Sequence, residues 1–364
     1  MDINSILKQI VDNHAPDLHL KVNSPPVIRL GNGELYVTDK VQPLKLEEIS
    51  EVAQNIAGPE KYELFKKKKE IDFSYRLADQ GRFRVNLYQD QEGPCLAFRS
   101  IPSEIPTLEQ LGLPRLFGDF ALKPRGLMLV TGPTGSGKST TLAAMVNHIN
   151  TTRKCHIITI EDPIEFVHQA KNSLITQREV NVHTDSFPNA IRSALRQDPD
   201  VIMVGEMRDL ETIAAAVTLA ETGHLVLSTL HTTDAAQTVD RIVDIFPPYQ
   251  QQQIRAQLSV ALLGVISQTL VQRLDEQGRV PAFEIMVAND AIKNCIKEGK
   301  THQIYSMLQI GKEAGMQTLD DSLAILVTQN LVSKEHALAK THDPEAFNRA
   351  IENYSTITKS NSHD

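Results

Sequence analysis

Tryptophan is absent from this 364-residue chain, aromatic residues make up 5% of it, and cysteine occurs three times. Cys95, Cys155 and Cys295 lie far apart and form no Cys-x-x-Cys pair, which excludes a cysteine-rich zinc site and is typical of a reducing cytosol. No apolar run reaches the roughly 18 residues that a transmembrane helix needs. The opening segment contains Asp2 and Lys8 and does not read as a signal peptide. The sequence therefore predicts a soluble cytoplasmic protein without a transmembrane segment.

Basic residues are also in short supply. The chain has 37 Lys and Arg against 45 Asp and Glu, for a formal net charge of -8. This balance and the lack of a stripe of alternating basic and aromatic residues argue against a nucleic-acid motor. The length is enough for about two domains, each with a core of its own. We therefore expect no nucleic-acid partner.

A phosphate-binding loop is the most specific motif in the chain. Residues 127–131 predict a buried strand and residues 141–147 a helix. Between them, Gly132 to Ser139 fits the pattern Gly-x-x-x-x-Gly-Lys-Ser. In that pattern the glycines let backbone N–H groups surround a polyphosphate, the lysine contacts the β- and γ-phosphates, and the serine hydroxyl is a ligand of Mg²⁺. The sequence therefore predicts that ATP and Mg²⁺ are bound by Gly132, Pro133, Thr134, Gly135, Ser136, Gly137, Lys138, Ser139 and Thr140.

Three further apolar strands lead into acidic residues or histidine. From Leu108 onward strands alternate with helices, which predicts a parallel sheet covered on both faces. Ligands of such sheets bind beyond the carboxyl ends of the strands. The residues expected at that edge are Glu161, Asp162 and Glu165 after residues 155–160, Glu206 after residues 201–204, and His231 after residues 225–230.

These side chains suggest different roles. Glu206 occupies a Walker B position, where it can hold Mg²⁺ through water or polarise the attacking water. The three close acids of residues 161–165 suit a site beside Mg²⁺ or a cationic partner, with a helix N-cap as the alternative for Asp162 before Pro163. His231 can sense the γ-phosphate by a hydrogen bond. His224 lies at the other end of its strand and suits a subunit boundary.

The first 100 residues predict a small α+β domain. Short alternating segments predict six strands, with a tight turn at Asn32-Gly33, and residues 45–56 predict a helix. Arg82 and Arg84 point to one face of a strand, and Arg99 lies on the next strand. From the sequence alone these arginines are more simply a solvated edge. Residues 101–107 contain two prolines and predict a linker.

The second half is predicted to become helical towards its end. Residues 212–222 predict a helix, and residues 250–274 predict one or two longer helices. Residues 291–354 predict a helical region without strands. The polar stretch 355–364 predicts a disordered tail, so the nucleotide-binding domain is expected to span residues 108–290.

Four motifs in order resemble the Walker A, Asp-box, Walker B and His-box motifs of the secretion ATPase superfamily. They are residues 132–140, 160–165, 204–209 and 222–231. The resemblance extends from Asp17 to Leu319 and is strongest to type IV pilus retraction ATPases, the PilT-type motors of twitching motility. It implies an α/β architecture: an N-terminal PAS-like α+β domain followed by a RecA-like P-loop ATPase domain with a helical C-terminal region. It also implies a homohexameric ring.

The same resemblance implies roles for individual residues. Glu165 would position or activate the attacking water, and Glu206 would serve the metal and the geometry of hydrolysis. Arg82, Arg84 and Arg99 resemble the arginines that the N-terminal domain of these motors offers to bound nucleotide. The resemblance therefore favours a catalytic role for these arginines over a solvated edge.

Residues 291–298 resemble the retraction-motor motif Ala-Ile-Arg-Asn-Leu-Ile-Arg-Glu, with Lys293 and Lys297 in place of the arginines and Cys295 in place of leucine. On a helix, Ile292, Cys295 and Ile296 face the core and the lysines form a second stripe. The resemblance makes this stripe a candidate surface for rearranging the ring or for engaging the pilus platform protein at the inner membrane. A paralogous retraction ATPase is a further expected partner.

Two alternatives remain open within the same resemblance. A pilus assembly or type II secretion ATPase usually carries a long N-terminal extension and a four-cysteine zinc site, and the four cysteines are not present here. An accessory ring subunit that regulates the motor is the second alternative, against which the intact acidic residues argue.

Overall fold

Two compact units, Met1–Glu104 and Ile105–Asp364, make up the chain in the computed structural model. The structure describes residues 2–13, 15–30, 34–38, 41–77, 81–101, 104–275 and 278–360, with the backbone alone for 355–360. The division falls within residues 101–107, the predicted linker. The predicted turn at Asn32-Gly33 lies outside the described residues. Within the described ranges no helix is long and apolar enough to cross a membrane.

The N-terminal unit is a six-stranded antiparallel sheet with two helices. Its elements are α1 (Ile3–Asp12), β1 (Asp17–Leu20), β2 (Val27–Arg29), β3 (Leu35–Val37), α2 (Leu46–Lys68), β4 (Glu70–Leu77), β5 (Gly81–Gln89) and β6 (Pro94–Ile101). The strands lie in the order β3-β2-β1-β6-β5-β4. The predicted α+β character of this region is confirmed.

Regular spacing of apolar residues builds the core of this unit. On α1, Ile3, Leu7 and Ile10 are buried, as the helical period requires. Within the sheet, Phe83 and Phe98 lie on paired strands and meet edge to face with ring centroids 6.3 Å apart. Such pairs add to the free energy gained from removing the rings from water.

Helix α2 is longer than the sequence suggests. It continues to Lys68, whereas its end was predicted at residue 56. The interruption at Gly58 and Pro59 explains the difference: Gly58 adopts a φ of 74°, which glycine tolerates, and a proline is acceptable in the first turn of the segment that follows. Lysines fill the last turn, where cations interact favourably with the helix dipole.

The C-terminal unit is built around a seven-stranded sheet. Its elements are α3 (Arg115–Ala121), β7 (Gly126–Thr131), α4 (Lys138–Thr152), β8 (His156–Glu161), β9 (Leu174–Glu179), α5 (Phe187–Ala194), β10 (Val201–Val204), α6 (Leu210–Glu221), β11 (Leu225–Leu230), α7 (Ala235–Asp244), α8 (Pro248–Ala261), β12 (Leu262–Gln272), β13 (Arg279–Val287), α9 (Asp290–Glu298), α10 (Ile304–Ile310), α11 (Leu319–Thr328), α12 (Lys334–Leu338) and α13 (Pro344–Ser360).

The sheet of this unit has the strand order β13-β12-β7-β11-β10-β8-β9. Neighbouring strands are parallel except for the antiparallel pair β12 and β13. Every residue of β7, β10 and β11 is buried, as in strands covered on both faces. The predicted parallel sheet is confirmed, and it brings the carboxyl ends of β7, β8, β10 and β11 to one edge.

The prediction of helix for all of residues 250–274 is wrong. Helix α8 ends at Ala261, and β12 follows at once and pairs with β7 on one side and β13 on the other. The segment contains Val265, Ile266, Thr269 and Val271, β-branched residues that favour a strand. Pairing with two neighbouring strands therefore makes this segment a strand, where the sequence predicted a helix.

Helices α11, α12 and α13 share a further hydrophobic core with β12 and β13. Phe347 of α13 and Leu323 of α11 are fully buried, and the Ser322 hydroxyl accepts the backbone N–H of Phe283 at 3.0 Å. The region after residue 291 is helical, as predicted. Helix α13 continues to Ser360, whereas the sequence was expected to lose regular structure at Ser355.

A buried carboxyl group lies between β13 and α7. Glu284 is 2% exposed, and its Oε1 accepts the backbone N–H of Ala235 at 2.8 Å. Burial raises the pKa of Glu284 to about 7, the Ala235 hydrogen bond opposes that rise, and the charges of Asp234 and Asp320 add to it. The folded protein therefore keeps this proton over a pH range in which the unfolded chain has lost it.

We expect Glu284→Gln to stabilise the protein in a pH-dependent way. The native carboxyl favours folding below its ordinary pKa near 4.5, and this contribution is lost as the pH rises through about 7. The amide keeps the acceptor oxygen without the charge, so unfolding at about pH 8 should cost up to ~3 kcal/mol more in the variant, with little difference at about pH 5. Denaturant unfolding at both pH values measures this. The exposed Glu313→Gln is the control, and an equal effect at both pH values would contradict the assignment.

Candidate nucleotide-binding site

The phosphate loop joins β7 to α4 with the geometry that an anion site requires. Gly132, Gly135 and Gly137 have φ values of 139°, 77° and 88°, which residues with a Cβ rarely adopt. Gly137 is also the N-cap of α4. The loop therefore ends at a helix N-terminus, where N–H groups and the helix dipole favour negative charge.

Lys138 is held against the loop itself. Its Nζ donates to the carbonyl oxygens of Gly132 at 2.7 Å and Pro133 at 3.1 Å. Burial lowers the pKa of Lys138, while the negative charges of Glu206 and Glu165 oppose that change. The loop after β7 and the carboxylates that follow β8 and β10 therefore lie at the same edge of the parallel sheet.

The other loop residues differ in exposure. Pro133, Thr134 and Gly135 are exposed, Ser139 and Thr140 are half-buried, and Ser136 is buried. The Ser136 hydroxyl has no hydrogen-bond partner among the described residues. The exposed part of the loop and the half-buried Ser139 hydroxyl are the groups that a ligand can reach.

Glu206 is an ionised carboxylate with two partners. Its Oε1 lies 2.6 Å from Nε of Arg208 and 3.0 Å from Nε2 of His231. Burial raises the pKa of Glu206, but the hydrogen bonds and charges of these two partners outweigh it and hold the pKa below its usual range. Both contacts use Oε1, so Oε2 is the oxygen suited to a metal-bound water.

Glu161 is a buried hydrogen-bond acceptor. It accepts from the hydroxyl of Thr159 at 2.6 Å, the amide of Gln177 at 3.2 Å and the backbone N–H of Glu165 at 3.3 Å. Burial raises the pKa of Glu161 to about 7, and the three hydrogen bonds act in the opposite direction. Its contacts suit it to anchor the segment that carries Glu165.

Glu165 and Asp162 are both exposed on the segment after β8. This segment is not helical at Asp162, so the alternative that Asp162 is a helix N-cap is wrong. Gln177 of β9 makes two hydrogen bonds to the same segment. Its amide N–H donates to the Phe166 carbonyl at 2.8 Å, and its side-chain oxygen accepts the His168 N–H at 2.8 Å. Hydrogen bonds therefore hold the backbone segment that carries the Glu165 carboxylate.

His224, Lys293 and Lys297 lie apart from the phosphate edge. His224 precedes β11, and its Nδ1 lies 3.1 Å from the Leu219 carbonyl at the end of α6. On α9, the predicted burial of Ile292, Cys295 and Ile296 is confirmed. The lysines of α9 line a cavity of about 290 Å³ beside α8.

The three predicted arginines belong to the N-terminal unit. Arg84 and Arg99 are cross-strand partners on β5 and β6. Nε of Arg99 donates to Asp17 at 2.8 Å, Nε of Arg84 lies 3.6 Å from Asp72, and Arg82 donates to Ser74 at 3.2 Å. Asp17 is 7% exposed and also lies 3.4 Å from Arg29, so the two arginines share one buried carboxylate.

Several residues of the site were missed by the sequence reasoning. Arg208 follows Glu206 by two positions, and that spacing could have identified it. Gln177 and Gln268 are amides on β9 and β12, and they reach the site through contacts between distant segments. Gln268 was missed for a definite reason, because its strand was taken for a helix.

A glycine-rich loop at a helix N-terminus, with carboxylates at the same edge of a RecA-like parallel sheet, defines a P-loop nucleoside triphosphatase. The model of the Type II/IV secretion system protein family matches residues 1–359. The chain belongs to that family.

Proteins of similar sequence and structure match this chain over most of its length. The sequence is 48% identical over 347 residues to the type IV pilus retraction ATPase PilT of Pseudomonas aeruginosa, covering 95% of this chain and 100% of that protein. It is 53% identical over 304 residues to a twitching motility protein of Neisseria gonorrhoeae, covering 84% of this chain and 81% of that protein. A crystal structure of the pilus retraction motor PilT with bound ADP matches with a TM-score of 0.89 at 44% identity, covering 96% of this chain and 99% of that chain.

Proposed function

We propose that this chain is an ATP-hydrolysing motor that retracts type IV pili and thereby drives twitching motility. One observation carries the proposal furthest: the phosphate loop follows β7 at the same sheet edge as the carboxyl ends of β8 and β10, which lead to Glu165 and Glu206. The 48% identity to a pilus retraction ATPase, which spans that whole protein, supports the pilus as the structure on which the motor acts.

The loop binds the phosphates of ATP through its backbone N–H groups and Lys138. The ammonium group now donates to two neutral carbonyls. It can exchange them for phosphate oxygens, because charge-assisted hydrogen bonds are roughly twice as strong as neutral ones. Neutralisation of the phosphate charge is the main contribution of such loops to phosphoryl transfer.

Glu165 suits the role of general base better than Glu206. A general base must accept a proton, and a carboxylate with a lowered pKa does so less readily. Glu206 is such a carboxylate because Arg208 and His231 stabilise its charge. Glu165 is exposed, and its backbone is anchored by Glu161. We therefore assign Glu165 to the attacking water and Glu206 to the metal, with His231 sensing the γ-phosphate through Glu206.

Ser139 and Glu206 fit Mg²⁺, because both offer oxygen ligands and Glu206 is ionised. When bound, Mg²⁺ supplies neutralisation of phosphate charge. Among the described residues no group of three or more His, Cys, Asp and Glu is arranged to hold a metal ion, and a phosphate-bound Mg²⁺ needs only one or two protein ligands. The residues present are therefore sufficient for it.

The proposed working form is a homohexamer in which Arg82, Arg84 and Arg99 act on the nucleotide of a neighbouring subunit. Arg99 is paired with the buried Asp17 through Nε, and most of its side chain is exposed. An arginine supplied in this way stabilises the charge of the transition state and can raise the rate by ~10³ to 10⁵.

We expect Arg99→Ala to lower ATP turnover, and mixing it with Lys138→Ala to restore part of the activity. In a mixed ring, an intact arginine of one subunit faces an intact phosphate loop of the next. Turnover of the two purified variants, alone and at several mixing ratios, measures this. Circular dichroism checks that the Arg99→Ala variant still folds, since the change removes the arginine that pairs with Asp17. No recovery at any ratio would contradict an arginine supplied by a neighbour.

The proposed partner is the pilus platform protein, with the motor in the cytoplasm at the inner membrane. Lys293 and Lys297 of α9 are candidates for the coupling surface, with His224 at a subunit boundary. A paralogous retraction ATPase is a further proposed partner. These assignments rest on the resemblance to retraction motors and on the place of α9 after β13, which ends at the sheet edge opposite the phosphate loop.

Deletion of the gene tests the proposed function directly. Cells without the protein should carry excess surface pili and lose surface motility. The wild-type gene should restore motility, and the Lys138→Ala gene should not. Cells without pili would instead indicate the assembly ATPase, and unchanged pili with unchanged motility would indicate an accessory subunit.

A further inference from the structure

Gln268 connects β12 to the phosphate loop. It is 5% exposed, and it follows Ser267, which is paired with Thr131 at the end of β7. Its Nε2 donates to the Ser136 carbonyl at 2.6 Å, and its Oε1 accepts the Thr141 hydroxyl at 2.8 Å. One side chain therefore holds both the loop and the first turn of α4.

Two glycines of the loop pack directly on Gln268. A Cβ at Gly132 would lie 2.2 Å from the Gln268 carbonyl oxygen, and a Cβ at Gly137 would lie 2.8 Å from its Nε2. Real Cβ atoms do not approach so closely, so glycine is required here for space as well as for its φ angle. The loop is therefore shaped to fit around this residue.

The hydrogen bond to Ser136 also orients the loop N–H groups. In a trans peptide the C=O and the following N–H point in opposite directions. Because Nε2 draws the Ser136 carbonyl towards β12, the N–H of Gly137 points away from β12. N–H groups that converge on one side of a loop form an anion site, so this bond favours the phosphate-binding shape.

We propose that Gln268 is a positioning residue that holds the phosphate loop in its nucleotide-binding shape and thereby sets the affinity for nucleotide. The inference rests on the proposed ATP binding. It extends the site to β12, which pairs with β13 and so joins the loop to the strand that contacts α11 through Ser322.

The test uses Gln268→Met, which keeps the side-chain length and removes both hydrogen bonds. We expect the Kd for ADP and the KM for ATP to rise about tenfold, the effect of two lost hydrogen bonds, while kcat stays within about threefold. Titration with ADP and steady-state hydrolysis measure the two effects separately. Gln272→Met, an exposed site on the same strand, is the matched control and should bind as the wild type does.

Variants of Thr141 provide an independent test. Thr141→Val should weaken ADP binding by a smaller factor, and Thr141→Ser should recover part of that loss. The double variant Gln268→Met/Thr141→Val should bind like Gln268→Met alone, because the shared hydrogen bond is already absent. If Gln268→Met does not fold, the ADP affinity of Thr141→Val tests the inference by itself.

Wild-type affinity in a folded Gln268→Met, or in Thr141→Val when the first variant is unfolded, would overturn the inference. Failure of the wild type and of Gln272→Met to bind ADP would instead overturn the proposed nucleotide binding itself.

Discussion

Lys138→Ala is expected to abolish ATP hydrolysis, with a fall of at least about a thousandfold, the upper range for loss of a single group that stabilises transition-state charge. The loop keeps its glycine-determined backbone, but the ammonium that neutralises the β- and γ-phosphates is gone. Affinity for ATP should also fall. Phosphate release by the purified variant measures turnover, and titration with ATP measures binding.

Lys154→Ala is the matched control for this prediction. Lys154 is exposed just beyond the other end of α4, so the variant removes a lysine charge at a distance from the loop. Turnover of this variant should equal that of the wild type. Normal hydrolysis by Lys138→Ala would refute the assignment of the phosphate loop.

Glu165→Gln is expected to reduce turnover by about 10²–10⁴, the usual contribution of a general base. The amide keeps the size of the side chain and removes the proton acceptor. Because the anchor to Glu161 uses the backbone N–H of residue 165, the segment should stay in place. Affinity for ATP should therefore remain within a few-fold of the wild type.

Comparison with Glu206→Gln separates the two carboxylates. That variant removes the charge that Arg208 and His231 stabilise, so we expect it to change the Mg²⁺ dependence of hydrolysis as well as the rate. The exposed Glu313→Gln controls for loss of a carboxylate elsewhere. If Glu165→Gln instead loses ATP affinity, its carboxylate is a structural or metal group and Glu206 becomes the better candidate for the base.

Sequence reasoning was sufficient where a structural feature is contained in one short segment. The identity of the phosphate loop depends on residues within a single turn, and its glycines, Lys138 and Ser139 were all predicted from their spacing. Carboxylates and His231 at the ends of strands were also predicted, because parallel strands present their carboxyl ends at one edge.

The reasoning failed where local pattern and tertiary context conflict. Residues 262–272 follow a helix without a break and were read as part of it, although their environment between β7 and β13 makes them a strand. The pKa of Glu161 could not be predicted from the sequence, because burial raises it and donors from β8 and β9 oppose that rise.

The sequence by itself therefore determined the ligand class, the family motifs and the α/β pattern, since each is encoded in contiguous residues with a fixed spacing. Only the tertiary structure decided which carboxylate keeps a lowered pKa, that Asp17 pairs with Arg99, and what supports the phosphate loop. Gln268 and Ser136 are separated by 132 positions, and no local pattern relates them. They meet because β12 pairs in parallel with β7, a long-range contact that depends on the whole sheet being formed.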